Sequence, residues 1–170
     1  NTMTKYIAVA ATTIDGKIAK NSHHFSNWTS HEDKVFLHAI LDTCDAVLVG
    51  NSTYKMAVKP LSKRNCIVLT RSLENKKNRP LLTFCNPAKQ SLKNIIKKNK
   101  YKKICILGGT QIYSYCLKQN LIDELYLTIE PLTFGSGLSL FETKKSSWWC
   151  LKSSKRLNKR GSILLHYIKI

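Results

Sequence analysis

Long apolar runs, paired cysteines and acidic side chains are all scarce in this sequence of 170 residues. No stretch reaches the roughly 18 to 20 uninterrupted apolar residues of a membrane-spanning helix, so no membrane partner is expected. The first residues, Asn1 to Tyr6, lack the pattern of a signal peptide. The sequence therefore predicts a cytoplasmic protein.

The six cysteines are widely spread, with no Cys-x-x-Cys pair and no Cys/His cluster at zinc spacing. A chain of this length can bury its own core, so it does not need a disulfide framework. Cys44, Cys66 and Cys105 lie in or just before apolar runs. We expect them to be buried free thiols that pack as small apolar side chains, and we expect no metal site.

Acidic residues number 10 against 28 lysines and arginines, which gives a formal net charge of +18. Such a charge attracts polyanions, so a nucleic-acid-binding protein is one hypothesis. The basic residues concentrate at 89–103 and 144–160, where base-stacking aromatic residues are not regularly interleaved with them. Specific nucleic-acid binding is therefore not expected, and Trp148 with Trp149 is predicted to form a buried edge of the late strands.

Predicted strands and helices alternate along the chain without a repeat, linker or low-complexity tract. Strands are predicted at 6–12, 46–49, 66–70, 81–84, 104–107, 125–129 and 163–168, and helices at 30–41, from 52 to a loop at Pro60, at 91–100 and at 111–119. The alternation predicts one α/β domain over residues 1–170, with a mostly parallel central sheet and antiparallel strands at its C-terminal edge.

Two turns of this predicted sheet are candidates for ligand binding. In open α/β sheets, ligands bind beyond the carboxyl ends of strands, where helix N-termini offer N–H groups to phosphates. The turns at 50–53 and 108–112 lie at such strand ends. The second lacks the full Gly-x-Gly-x-x-Gly fingerprint, so an ordinary tight turn stays open there.

Three segments resemble a known superfamily. The first comprises residues 49–54 (Val-Gly-Asn-Ser-Thr-Tyr), 59–64 (Lys-Pro-Leu-Ser-Lys-Arg) and 67–71 (Ile-Val-Leu-Thr-Arg). The others are residues 107–113 (Leu-Gly-Gly-Thr-Gln-Ile-Tyr) and 123–128 (Asp-Glu-Leu-Tyr-Leu-Thr) followed by the loop 134–137 (Phe-Gly-Ser-Gly). They are similar to the superfamily of dihydrofolate reductase and the reductase domain of the riboflavin-pathway deaminase-reductase. The resemblance implies the three-layer dihydrofolate-reductase-like fold.

The amino-terminal third is closer to the riboflavin branch. Residues 13–19 (Thr-Ile-Asp-Gly-Lys-Ile-Ala) resemble its Ser-x-Asp-Gly-Lys-x-Ala, and Ser26-Asn27-Trp28 is similar as well. The Leu-Pro-Trp segment of folate enzymes is absent, and so is the Asp-Pro-x-Leu-Thr stretch of the riboflavin branch. The resemblance favours 5-amino-6-(5-phosphoribosylamino)uracil reductase and leaves dihydrofolate reductase as the alternative. It also leaves open the homodimers common in the first branch and the monomers of the second.

The resemblance implies NADPH as the hydride donor. Arg71 with Ser72 lies where the family binds the 2′-phosphate, and a guanidinium matches phosphate geometry well. The family's other arginine for this phosphate is Asn51 here. The implied cofactor-binding residues are Gly50, Ser52, Thr53, Arg71, Ser72, Gly108, Gly109, Thr110, Gln111, Ile112 and Tyr113.

Hydride transfer also needs a proton for the heteroatom that gains charge. Asp33 lies five residues after Trp28, where the folate enzymes have an acidic residue against the pterin. It could hold or relay a proton through Thr128, Glu32 could exchange roles with it, and either carboxylate could merely complement the helix dipole. The implied substrate-binding residues are Ala10, Ala11, Asp15, Trp28, Phe36, Arg64 and Thr128, of which Arg64 matches the arginine for the glutamate tail and could also meet a phosphate.

Overall fold

An eight-stranded sheet and a separate two-stranded sheet organise the chain. The structure is a computed structural model that describes residues 3–24 and 27–170. The strands are β1 (Lys5–Thr12), β2 (Lys17–Ala19), β3 (Ala46–Gly50), β4 (Cys66–Leu69), β5 (Leu82–Cys85), β6 (Lys103–Ile106), β7 (Glu124–Ile129), β8 (Leu138–Ser139), β9 (Trp149–Arg156) and β10 (Ile163–Lys169). The helices are α1 (His31–Asp42), α2 (Asn51–Met56), α3 (Val58–Leu61), α4 (Leu92–Lys98) and α5 (Thr110–Lys118).

The large sheet has the order β5-β4-β3-β6-β1-β7-β10-β9. Its first six strands are parallel to their neighbours, whereas β10 pairs antiparallel with both β7 and β9. This confirms the predicted α/β fold with an antiparallel C-terminal edge. The strand β2 pairs with β8 outside the large sheet.

The parallel strands are apolar because both faces of the sheet are covered. Leu48 and Ile104 belong to a core cluster on the face that packs against α5. Val47 and Val49 point to the opposite face and belong to a second cluster, against which Leu37 of α1 packs. The alternation of neighbouring residues between two clusters produces three layers.

Ser30 caps the start of α1. Its hydroxyl accepts a hydrogen bond from the Asp33 backbone N–H at 3.2 Å. This bond satisfies one of the N–H groups that the first turn of a helix leaves without a partner. The cap therefore ties the position of Asp33 to the loop that precedes the helix.

Three local predictions are corrected by the structure. Pro60 lies in the short helix α3 rather than in a loop. A proline is tolerated there because it lies in the first turn of the helix. The strands β2, β8 and β9 were not predicted, and β9 escaped because its residues are mostly basic and exposed. Trp148 is 82% exposed rather than buried, although Trp149 is half-buried against the core. The strand β9 is at the edge of the sheet, and seven of its eight residues are exposed.

All six cysteines are free thiols. Cys66 and Cys105 are buried as predicted, whereas Cys44 is only half-buried because it lies in the turn that joins α1 to β3. Among residues 3–24 and 27–170, no helix is long and apolar enough to span a membrane.

Candidate active site

A cavity of about 1230 Å³ opens at the carboxyl ends of β1, β3, β4 and β6. Open α/β sheets bind ligands beyond the carboxyl ends of their strands, and the cavity lies at this position. The predicted site residues that line it are Ala10, Ala11, Trp28, Asp33, Gly50, Ser52, Thr53, Arg71, Ser72, Gly109, Thr110, Gln111, Ile112 and Tyr113.

Asp33 is the buried carboxyl group of this cavity. Asp33 lies in the first turn of α1 and is only 6% exposed. Burial, with a smaller contribution from the negative charge of Glu130, raises the pKa of Asp33 to about 6 against the opposing effects of the Thr128 hydroxyl bond and Lys34. A carboxyl group with this pKa is partly protonated near neutral pH and can give or hold a proton.

Glu32 has a different environment from its neighbour Asp33. It is half-exposed and does not line the cavity, and its Oε2 accepts a hydrogen bond from Asn158 Nδ2 at 3.3 Å. Hydrogen bonds from its own backbone N–H and from Asn158 lower the pKa of Glu32. Of the two carboxyl groups, Asp33 alone faces the cavity.

A glycine turn brings backbone close to the cavity floor. The Gly50 N–H donates to the Gly108 carbonyl at 2.8 Å, and the Gly108–Gly109 peptide bond is cis. A Cβ on Gly108 would lie 2.6 Å from the Tyr113 ring, and one on Gly50 would lie 2.8 Å from Ile112 Cγ1. Glycine is required at both positions because α5 begins this close to β3, and Gly108 itself lies behind the lining residues.

Several basic side chains line the cavity. Arg71 follows β4, is exposed, and donates from Nη2 to Gln111 Oε1 at 3.1 Å. Lys76 and Lys118 line the same cavity, and Lys34 lines it from α1. Sequence analysis did not single out these lysines, because nothing in a chain so rich in lysine distinguishes the few that face a cavity. His38, one helical turn after Lys34, was missed as well.

Several predicted substrate residues lie away from the cavity lining. Asp15 accepts hydrogen bonds from the Thr13 hydroxyl at 2.5 Å and the Gly135 N–H at 2.8 Å, so it joins two loops. The Thr13 bond is the main cause of its lowered pKa. Arg64 pairs with Asp42 at 2.8 Å.

Two further predicted residues lie behind the lining. Phe36 packs its ring against Tyr126 at 5.2 Å between centroids. Thr128 is 1% exposed and contacts Asp33 from behind. Ser26, from the motif at the amino-terminal third, is outside the described residues. In the part of the chain that the structure describes, no group of three or more His, Cys, Asp or Glu side chains could hold a metal ion.

Solved structures with this fold include two kinds of reductase-related protein. A pyrimidine reductase-like protein from Corynebacterium diphtheriae superimposes with a TM-score of 0.80 at 18% identity, over 98% of this chain and 92% of that one. Dihydrofolate reductase from Enterococcus faecalis, complexed with NADP(H), gives a TM-score of 0.71 at 21% identity, over 97% and 96% of the two chains. The dihydrofolate-reductase-like fold that the sequence segments imply is confirmed.

Sequence comparison gives the family. The chain is 30% identical to the uncharacterized protein YwjB of Bacillus subtilis, over 96% of this chain and 95% of YwjB. The sequence profile of the RibD C-terminal domain matches residues 4–161, from the first strand to the turn before the last one. The resemblance carried by the glycine turns and by residues 13–19 thus extends over nearly the whole sequence, and the chain belongs to the RibD C-terminal domain family.

Proposed function

We propose that the protein is an NADPH-dependent reductase of a pyrimidine-type substrate, with 5-amino-6-(5-phosphoribosylamino)uracil as the leading candidate. One observation carries the proposal: a buried carboxyl group with a pKa of about 6, that of Asp33, shares a cavity with the glycine turn at the start of α5. Membership of the RibD C-terminal domain family supports a role similar to that of pyrimidine reductases.

The cavity fits a dinucleotide phosphate on two grounds. Gly109, Thr110 and Gln111 line the cavity at the start of α5, where the N-terminus of a helix favours a negatively charged phosphate. Arg71 and Lys76 provide positive charge at the end of the cavity where a 2′-phosphate would be recognised. When bound, NADPH supplies the hydride.

Asp33 would provide the proton that balances the charge of the arriving hydride. Its carboxyl group is shielded from bulk water, which favours the protonated form at pH values where an exposed aspartate is ionised. The hydroxyl of Tyr113, which also reaches this region, donates to the Val9 carbonyl at 2.6 Å and is already engaged. Asp33 is therefore the proton donor of the proposed reaction.

The substrate end of the cavity has an apolar part and a cationic part. Trp28 and Leu37 offer an apolar slot for a planar ring, and Lys34 with His38 lies along α1 beside it. Arg64, which the folate interpretation needs for the glutamate tail, is paired with Asp42 instead. The position of Lys34 at the cavity and the pairing of Arg64 with Asp42 favour a phosphorylated pyrimidine over dihydrofolate. Dihydrofolate is the second candidate, because the apolar slot suits a pterin ring equally.

The test follows NADPH oxidation by the purified protein, with NADH in parallel and with either candidate substrate. We expect oxidation with the aminopyrimidine, and a fall of about 100-fold or more in kcat for Asp33→Asn with little change in NADPH affinity. The same fall for Glu32→Gln would move the acid role to Glu32. Oxidation with dihydrofolate alone would select the second candidate.

Two other expectations are tested with the same material. Absence of NADPH binding, together with retention on heparin that collapses steeply with salt, would favour a non-enzymatic nucleic-acid-binding protein. Sedimentation would test the homodimer that the riboflavin branch suggests. Both stay predictions.

A further inference from the structure

A chain of hydrogen bonds joins the start of α1 to the ends of β7 and β10. The Ser30 hydroxyl donates to Glu130 Oε1 at 2.8 Å, and the Ser162 hydroxyl donates to Glu130 Oε2 at 2.9 Å. Asn158 Nδ2 donates to the Ser162 hydroxyl at 2.9 Å and to Glu32 Oε2 at 3.3 Å. This series of hydrogen bonds therefore runs from Ser30, the cap of α1, to Glu32 in its first turn, with Glu130 near its centre.

Glu130 is an unusual residue to find at this position. It is only 4% exposed, and among the described residues no lysine, arginine or histidine forms an ion pair with it. A buried carboxyl group without a cation is costly, and two serine hydroxyls offset only part of that cost. Its backbone is held at the end of the sheet, because its N–H donates to the Thr12 carbonyl at 2.8 Å.

The bond from Ser30 connects Glu130 to Asp33. Because the Ser30 hydroxyl gives its proton to Glu130, its lone pairs are free to accept the Asp33 backbone N–H. Thr128 lies in β7, two residues before Glu130, which directly follows the strand, and the Thr128 hydroxyl bonds to the Asp33 carboxyl group. Thr128 thus holds Asp33 at its side chain directly, and Glu130 holds it at its backbone through Ser30.

We propose that Glu130 is a positioning residue that acts through Ser30 to hold the Asp33 carboxyl group against the cavity. The part of this inference that concerns reduction rests on the proposed function. The coupling between Glu130 and Asp33 does not, so the two can be tested separately.

The charges around Asp33 predict how the coupling will be seen. Glu130 faces Asp33 from the position after β7, Lys34 faces it from α1, and the Tyr113 hydroxyl faces it from α5. Only Glu130 among these adds negative charge, so its removal should favour ionisation of Asp33. Loss of the Ser30 bond should instead loosen the first turn of α1.

The experiment reads the Asp33 carboxyl group directly, by carbon NMR on protein labelled at the aspartate carboxyl carbons, with Asp33→Asn for assignment. In Glu130→Gln we expect the Asp33 titration midpoint to fall by roughly one pH unit. The matched control is Glu124→Gln, which changes a second buried glutamate, at the far end of β7, that bonds Lys5 and His166. It should leave the Asp33 midpoint within a few tenths of a unit of wild type.

The serine variants test the positional part without changing charge. Ser30→Ala should lower kcat about tenfold with NADPH affinity unchanged, and Ser30→Thr, which keeps the hydroxyl, should restore it. Should Glu130→Gln fail to fold, Ser162→Ala removes one of the two bonds to Glu130 and should shift the Asp33 titration measurably.

An unchanged Asp33 midpoint in Glu130→Gln, or an equal fall in Glu124→Gln, overturns the proposal. Equal loss of kcat in Ser30→Ala and Ser30→Thr overturns the positional part. If no variant and no wild-type protein reduces either substrate, the proposed function fails, while the titration still decides the coupling.

Discussion

The parallel part of the sheet and its antiparallel edge differ in how far their residues are buried. The strands β3 and β4 are covered on both faces, and every residue in them is buried. The strand β9 has seven exposed residues of eight and a single neighbouring strand. The cavity lies at the covered part, and the turn between β9 and β10 is linked to the start of α1 by the hydrogen bonds of Asn158 and Ser162. The residues that line the cavity are therefore positioned by core packing, which the exposed edge strand lacks.

The largest difference is expected between two glycines with positive φ. Gly108 has φ of +94° and Gly161 has φ of +106°, but a Cβ would meet the Tyr113 ring at 2.6 Å in the first case and only Arg156 Nη2 at 4.0 Å in the second. Gly108→Ala should abolish NADPH binding and cost about 4 kcal/mol or more, because steric overlap adds to backbone strain. Gly161→Ala should cost about 1 kcal/mol. Urea unfolding and cofactor titration measure both, and equal losses would contradict the comparison.

A pair of leucines should show the same contrast in the free energy of unfolding. Leu48 is fully buried in β3 and Leu151 is 50% exposed in β9. Leu48→Ala should destabilise the protein by about 3 kcal/mol, because it removes core contacts and leaves a cavity. Leu151→Ala should cost about 0.5 kcal/mol or less. A loss at Leu151 that approaches the loss at Leu48 would show that another molecule covers the edge in solution.

The same contrast explains what could be predicted from the sequence. Continuous apolar runs at 46–49 and 66–70 placed β3 and β4 closely, because full burial leaves a clear pattern. The edge strand β9 was not predicted because its lysines and serines face solvent and leave no apolar pattern in the sequence. At the cavity, the glycine turn and Asp33 could be found through family motifs. The roles of Glu130 and Lys34 could not, since they depend on which side chains the fold brings together over long sequence distances.

Two carboxyl groups should make stability depend on pH in opposite directions. Burial raises the pKa of Asp33 to about 6, so the folded state binds its proton more tightly than the unfolded chain does. That contribution is fully present below the ordinary aspartate pKa and is lost as the pH rises through about 6, so Asp33→Asn should add up to about 3 kcal/mol to the free energy of unfolding at pH 8. The gain should vanish at about pH 3, below the pKa of the unfolded chain.

Glu124 provides the opposite case near the antiparallel edge. Burial alone would raise its pKa, but bonds from Lys5 and His166 outweigh burial and leave the pKa lowered. Its stabilisation is present above the ordinary glutamate pKa and is lost as the pH falls through the lower pKa of the folded state, so Glu124→Gln should destabilise the protein at pH 7 and have less effect as the solution is acidified. Parallel pH profiles for the two variants, measured by urea unfolding, would contradict this assignment.

The smallest effect concerns the choice of cofactor at the exposed end of the cavity. Arg71 donates to Gln111 and is exposed, so a phosphate would gain an ion pair that water weakens. Arg71→Ala should therefore weaken NADPH binding by about 1 to 2 kcal/mol, roughly tenfold, and leave NADH binding nearly unchanged. Lys118→Ala is the matched variant at a second cavity-lining cation, and its effect on the two cofactors measures the contribution of general positive charge. An equal loss of NADPH and NADH affinity in Arg71→Ala would remove it from recognition of the 2′-phosphate and leave Lys76 as the residue that distinguishes the two cofactors.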